Sequence, residues 1–210
     1  MGNLDAVLLD RWIELAGPSA RGVGEDLVRR YSEAHRRYHT VEHLAAMLTV
    51  IDDLQADAGD IAAVRYAAFF HDAIYAVDRP DNEEASAQLA EKTLPALGLN
   101  AGAVAEVARL VRLTAGHTPE PGDRNGAVLC DADLAILAAD APSYAAYTRA
   151  VRAEYAHVPD DLFRPGRAAV LTALVQQDNL FRTPTARARY DAPARANLAA
   201  EIASLTAETA

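Results

Sequence analysis

The sequence predicts an all-α fold, a compact bundle of nine or ten helices. Apolar residues recur at three- and four-residue steps along most of the chain, and no segment alternates convincingly between apolar and polar residues. Capping and breaking residues fall at intervals of helix length, which is the third indication.

Each element can be justified in order. A first helix over about residues 4–15 places Leu4, Val7, Leu8 and Leu15 near one stripe, and Gly17-Pro18 ends it. A second covers about 25–36. Thr40 stands as N-cap to a helix over 41–54, in which Leu44, Met47, Leu48, Ile51 and Leu54 share a face. Asp60 caps the next helix, which carries His71 and Asp72 near its C-terminal end. Helices over about 82–94 and 100–115 follow. Residues 116–126, rich in Pro and Gly, read as an exposed loop. Short helices at 131–139 and 142–156, the latter with Pro142 at its start, precede helices at 159–177 and 193–205. No internal repeat or low-complexity linker interrupts the 210 residues, so a single domain is the economical reading.

Composition narrows the function classes. A net charge of -10 argues against a general nucleic-acid binder, because phosphate contacts need a basic face. Lys92 is the sole lysine, and this arginine bias beside abundant alanine fits a GC-rich genome. Cys130 is alone, which excludes an intramolecular disulfide and favours a reducing compartment. The N-terminus has an early acid and no basic run, unlike a signal peptide, and no apolar stretch reaches membrane-spanning length. The expectation is a cytoplasmic protein with no membrane partner; self-association as a homo-oligomer stays open.

The chemistry concentrates in three places. The helix ending Phe69-Phe70-His71-Asp72 sets an imidazole beside a carboxylate on an apolar element, where a buried acid needs a cation or several donors. Upstream stand His39 and His43, four residues apart and so on one helix face. Downstream stand Asp131 and Asp133, which would open a helix; the apolar run Leu134-Ala135-Ile136-Leu137 favours an inward carboxylate at Asp133. Mixed imidazole nitrogen and carboxylate oxygen suits one divalent transition metal (Mn, Co, Fe, Ni or Zn) with positions open to water and substrate.

The order His43, His71-Asp72, Asp133 resembles the HD-domain superfamily of metal-dependent phosphohydrolases, and in particular its branch of small, predicted metal-dependent members. Arg36-Arg37-Tyr38-His39, Phe70-His71-Asp72-Ala73-Ile74-Tyr75, Asn82-Glu83-Glu84-Ala85-Ser86, Asp131-Ala132-Asp133-Leu134, Arg152-Ala153-Glu154-Tyr155 and Gly166-Arg167 strengthen the likeness, which spans about residues 12–205. It implies an all-α fold over residues 1–210 with the ion held between central helices, onto which C-terminal helices (about 142–208) pack. It also implies His43, His71, Asp72 and Asp133 as ligands, with His39 and Asp131 as alternatives. Some members of the superfamily place a Glu shortly after the His-Asp pair. Here Ala73-Ile74-Tyr75 occupies that position, so Glu83 or Glu84 is the candidate to act with Asp72 in catalysis. Arg36, Arg37, His39 and His117 are the candidate substrate contacts, and Arg152 and Arg167 are expected to pair with Glu154 or a neighbouring acid.

The expected activity is hydrolysis of a small phosphorylated molecule, such as a nucleotide phosphomonoester or a pyrophosphate, by metal-activated water. A diiron HD-type oxygenase needs further histidines between the His-Asp pair and the last Asp, and only His117 lies there. A non-catalytic metal- or nucleotide-binding module is the third class.

Overall fold

A computed structural model describes residues 2–207; Met1 and the last residue of the expected 142–208 layer lie outside them. The described residues contain ten α-helices and no strand. These are α1 (Asn3–Ala16), α2 (Arg21–Tyr31), α3 (Val41–Asp53), α4 (Ile61–Phe70), α5 (Asn82–Thr93), α6 (Ala101–Leu113), α7 (Arg124–Leu134), α8 (Ala141–Glu154), α9 (Asp160–Val175) and α10 (Pro184–Thr206).

Helix α4 is the hub. Seven of its ten residues are buried and none of those is charged, the pattern of a helix covered on every side. It packs against α1, α3, α5, α6 and α7, while α3 and α7 also touch each other. Trp12 of α1 is fully buried and meets Phe69 and Phe70 of α4 edge-on, with its indole N–H donating to the carbonyl of Ala20 at 2.9 Å. Helix α2 approaches that ring closely because residue 24 is glycine: a Cβ there would collide with Trp12 and Leu9. The C-terminal layer joins through α10, which packs on α9 and on the 3₁₀ turn Ala135–Ala138 that follows α7.

Four boundaries differ from those the sequence suggests, each for a physical reason. Helix α2 ends at Tyr31 rather than near residue 36, and the chain turns so that Arg36 points inward. The expected loop 116–126 is shorter, because the Asp123 side chain accepts from the Gly126 N–H and starts α7 there. Asp131 and Asp133 therefore close a helix instead of opening one. Helix α10 begins at Pro184, capped by Thr183, and runs through Pro193.

Candidate metal centre

The end of α4 explains the position of His71. The last carbonyls of a helix have no partner within it. Here the Ala68 carbonyl accepts from His71 Nδ1 at 2.8 Å and from the Tyr31 hydroxyl at 3.3 Å. A ring that donates from Nδ1 presents Nε2 as its lone pair, the arrangement in which histidine binds metal. The Tyr31 hydroxyl also accepts from the Asp72 N–H at 3.2 Å. Arg36, 3% exposed, donates to the carbonyls of Asp72 (2.8 Å), Ala73 (3.4 Å) and His39 (3.1 Å). The end of α4 is thus fastened by a phenol and a guanidinium, and the His-Asp pair follows immediately.

Four side chains, from α3, α7 and the two residues just beyond α4, converge beside it. His43, on the first turn of α3, brings Nε2 to 3.3 Å from His71 Nε2 and 3.2 Å from Asp133 Oδ1. Asp133 comes from the last turn of α7. Asp72 Oδ2 stands 3.0 Å from His71 Nε2 and 3.9 Å from His43 Nε2. His43, His71 and Asp133 each offer an atom within 4.8 Å of the others, a group able to hold a metal ion, and Asp72 flanks it. Burial disfavours a charged imidazole at His71, yet the charges of Asp72 and Asp133 outweigh it and raise His71 to about 9. Burial likewise opposes ionisation of Asp72, but His71 and His39 hold its carboxyl far below the usual range. The field at this point favours positive charge, and the C-terminal ends of α4 and α7 add to it.

The other expected residues separate clearly. His39 lies outside the cluster: its Nδ1 meets Glu154 Oε2 at 2.7 Å and its ring stacks near Tyr75. Asp131 is fully buried and turned away, accepting from the backbone N–H groups of Arg182 and Thr183, both at 2.7 Å. It anchors the entry to α10, so it is no alternative ligand. Arg36 is a structural clamp rather than a phosphate contact, since its guanidinium nitrogens donate to Glu33 and to backbone carbonyls. Arg37 is exposed at the rim of a cavity bordering His43 and Asp133. Glu84 forms a forked pair with Arg112 (2.6 and 2.9 Å) on the surface, which hydrogen bonding holds down at about 2. Glu83 instead lines a second cavity with His39, His117 and Asp133. His117 Nε2 lies 2.7 Å from Asp133 Oδ2, and its backbone is left-handed (φ 49°), a conformation few residues other than glycine adopt.

Glu154 is a positioning group that local sequence reasoning cast only as an arginine partner. Arg152 pairs with Asp160 and Arg167 with Glu201, leaving Glu154 to the chain itself. Buried at the end of α8, it accepts from the backbone N–H groups of Arg37, Tyr38 and His39 (2.8, 2.8 and 3.1 Å) and from the Tyr75 hydroxyl at 2.9 Å. Tyr31 had no local signal at all; its role appears only when α2 meets the end of α4.

Comparison with protein-family models, curated proteins and solved structures finds no match. The site itself therefore carries the functional reading.

Proposed function

We propose that this protein is a metal-dependent phosphohydrolase of the HD-domain type, acting on a small phosphate ester. The observation that supports it most is the meeting of His43, His71 and Asp133, with Asp72 alongside, from α3, the end of α4 and α7, segments far apart in sequence. The donor set fits a divalent transition metal: two imidazoles and two carboxylates, with the one imidazole whose tautomer is fixed by the fold aiming Nε2 inward. Such an ion supplies Lewis acidity, polarising a phosphoryl oxygen and acidifying water.

The remaining steps belong to the chain's own groups. Glu83, which lines the same cavity as His117 and Asp133, is the carboxylate we assign to take a proton from the attacking water. His39 faces the same cavity with Nδ1 held by Glu154, which leaves Nε2 as a donor toward the leaving oxygen. Burial lowers its proton affinity, but Asp72 and Glu154 raise it overall, so that His39 is protonated more readily than a free imidazole. Arg37 adds charge at the rim of the other cavity, which borders His43 and Asp133.

The test is elemental analysis of freshly purified protein, followed by phosphate-release assays on phosphomonoesters and pyrophosphates with the ion found. His71→Ala and Asp72→Ala should abolish turnover while preserving helix content; variants as fast as the wild type would end the proposal. One observation favours a two-ion variant of the site: Asp133 turns one oxygen to His43 and the other to His117. Two irons per chain with an oxygen-dependent product would point to oxygenase chemistry instead. Tight nucleotide binding without turnover would point to a binding module.

A further inference from the structure

Beside the metal centre lies a cavity of about 570 Å³, between α7, α8 and α9, within the range of small-molecule sites. Asp133 and His117, 2.7 Å apart, mark where it meets the metal centre, and Glu83 and His39 also line it. Most of the remaining lining is apolar, with Leu137, Val151, Phe163 and Leu174 among it.

Charge complementarity decides what can enter. The only arginine on the wall is already engaged, Arg167 donating to Glu201 and to the Tyr147 hydroxyl, both at 2.9 Å, while His39 and His117 each have one ring nitrogen held, by Glu154 and Asp133. A second phosphate or a carboxylate along the apolar wall would find no open arginine or lysine there, and Glu83 adds a negative charge to the cavity. The apolar wall has a second peculiarity. Leu162, Gly166, Val170 and Leu174 recur every fourth residue along α9 and all line the cavity, although Leu162 and Val170 are 64% and 54% exposed. A soluble helix normally turns such side chains inward. At Gly166 the stripe is interrupted, and a Cβ there would meet nothing within 4 Å.

Resting on the hydrolytic reading above, we infer that the substrate is a phosphate monoester of an uncharged, apolar alcohol, whose hydrocarbon or aromatic body lies along the α9 stripe. The phosphate end is taken by the metal centre, and the stripe selects the rest. Gly166 keeps room for that body, and Leu162 and Val170 complete its cover at the mouth.

The experiment uses Mn-loaded full-length protein and two stable probes, methylphosphonate and hexylphosphonate, titrated calorimetrically. Each methylene buried along the stripe contributes about fourfold in affinity. Hexylphosphonate should therefore bind at least tenfold more tightly than methylphosphonate, allowing for partial burial. Gly166→Phe should erase that preference while melting no lower than the wild type, since the glycine is helical and its surroundings open. Gly166→Ala, which adds a single methyl, should retain it. Equal binding of the two phosphonates, no binding of either, or an undiminished preference in Gly166→Phe overturns the inference. Phosphate release from hexyl phosphate, glycerol phosphate and adenosine monophosphate separates this claim from the broader one. Equal kcat/KM on all three leaves hydrolysis standing and removes the apolar subsite. Selective phosphonate binding without turnover by any metal does the reverse.

Discussion

Replacing Glu154 with glutamine tests whether one buried carboxylate organises the 36–39 turn. Burial works against its ionisation, but the hydrogen bond and charge of His39, with the N–H groups of Arg37 and Tyr38, bring it from 4.5 to about 2. At about 1.4 kcal/mol per pH unit, that depression is worth on the order of 3 kcal/mol of folding stability at neutral pH. The sign follows from linkage. A lowered carboxyl stabilises fully above its unfolded value of 4.5 and loses that contribution as the pH falls toward 2. His39 is raised, so its share is complete below 6.5 and disappears as the pH climbs through its folded value. The difference between wild type and Glu154→Gln should then be largest between about pH 4.5 and 6.5 and shrink on both sides. Glu154→Ala should lose more, on the order of 4 kcal/mol, because three N–H donors and the Tyr75 hydroxyl lose their acceptor. Urea unfolding followed by circular dichroism across pH 3–9 measures both. A Glu154→Gln protein as stable as the wild type throughout that range would refute the argument.

Other outcomes follow from the same geometry. Divalent metal at a hundredfold excess over its dissociation constant should stabilise the fold by about 2.7 kcal/mol, read as a rise in Tm, and His71→Ala or Asp133→Ala should remove the rise. Arg36→Ala should lower stability by on the order of 3 kcal/mol, since it strips donors from the carbonyls of Asp72, Ala73 and His39, and should weaken metal binding measured by calorimetry. Gly24→Ala should lower the denaturant midpoint by the equivalent of about 1–3 kcal/mol, because its methyl group runs into Trp12. Glu84→Gln should leave any phosphatase rate unchanged while Glu83→Gln reduces it, measured side by side on one substrate.

The helices were legible wherever local chemistry decides them. Asp60 and Asn100 cap their helix starts, Thr40 precedes α3 although its hydroxyl donates to Glu42 and makes no cap bond, and the apolar spacing in α3 foretells its buried face. His71 and Asp72 stand out as an imidazole and a carboxylate at the end of an apolar helix, and Asp133 by the apolar run that follows it, whereas only the family resemblance distinguishes His43 from His39. What escaped depends on partners distant along the chain. Residues 32–40 carry enough helix formers to continue α2, yet they leave it because Arg36 finds carbonyls on residues 72 and 73 and the turn finds Glu154. Arg36 and Arg37 look alike in sequence, and only their surroundings make one a buried clamp and the other an exposed rim charge. Asp131 and Asp133 likewise differ by which face of one helical turn each occupies: one receives the N–H groups before α10, the other meets imidazoles.

His71 takes its aim from where a helix stops. It is the first residue beyond α4, and the same carbonyl that the helix leaves over receives its ring nitrogen. One residue inserted into α4 would swing whatever follows by about 100° around the axis. The imidazole would then face the packed interior instead of its fellow donors, with hardly a change in composition or helix content. Length along this one segment is therefore as much a determinant of chemistry as the identity of the donors, and deletions or duplications there should be far less tolerated than most substitutions on the same helix.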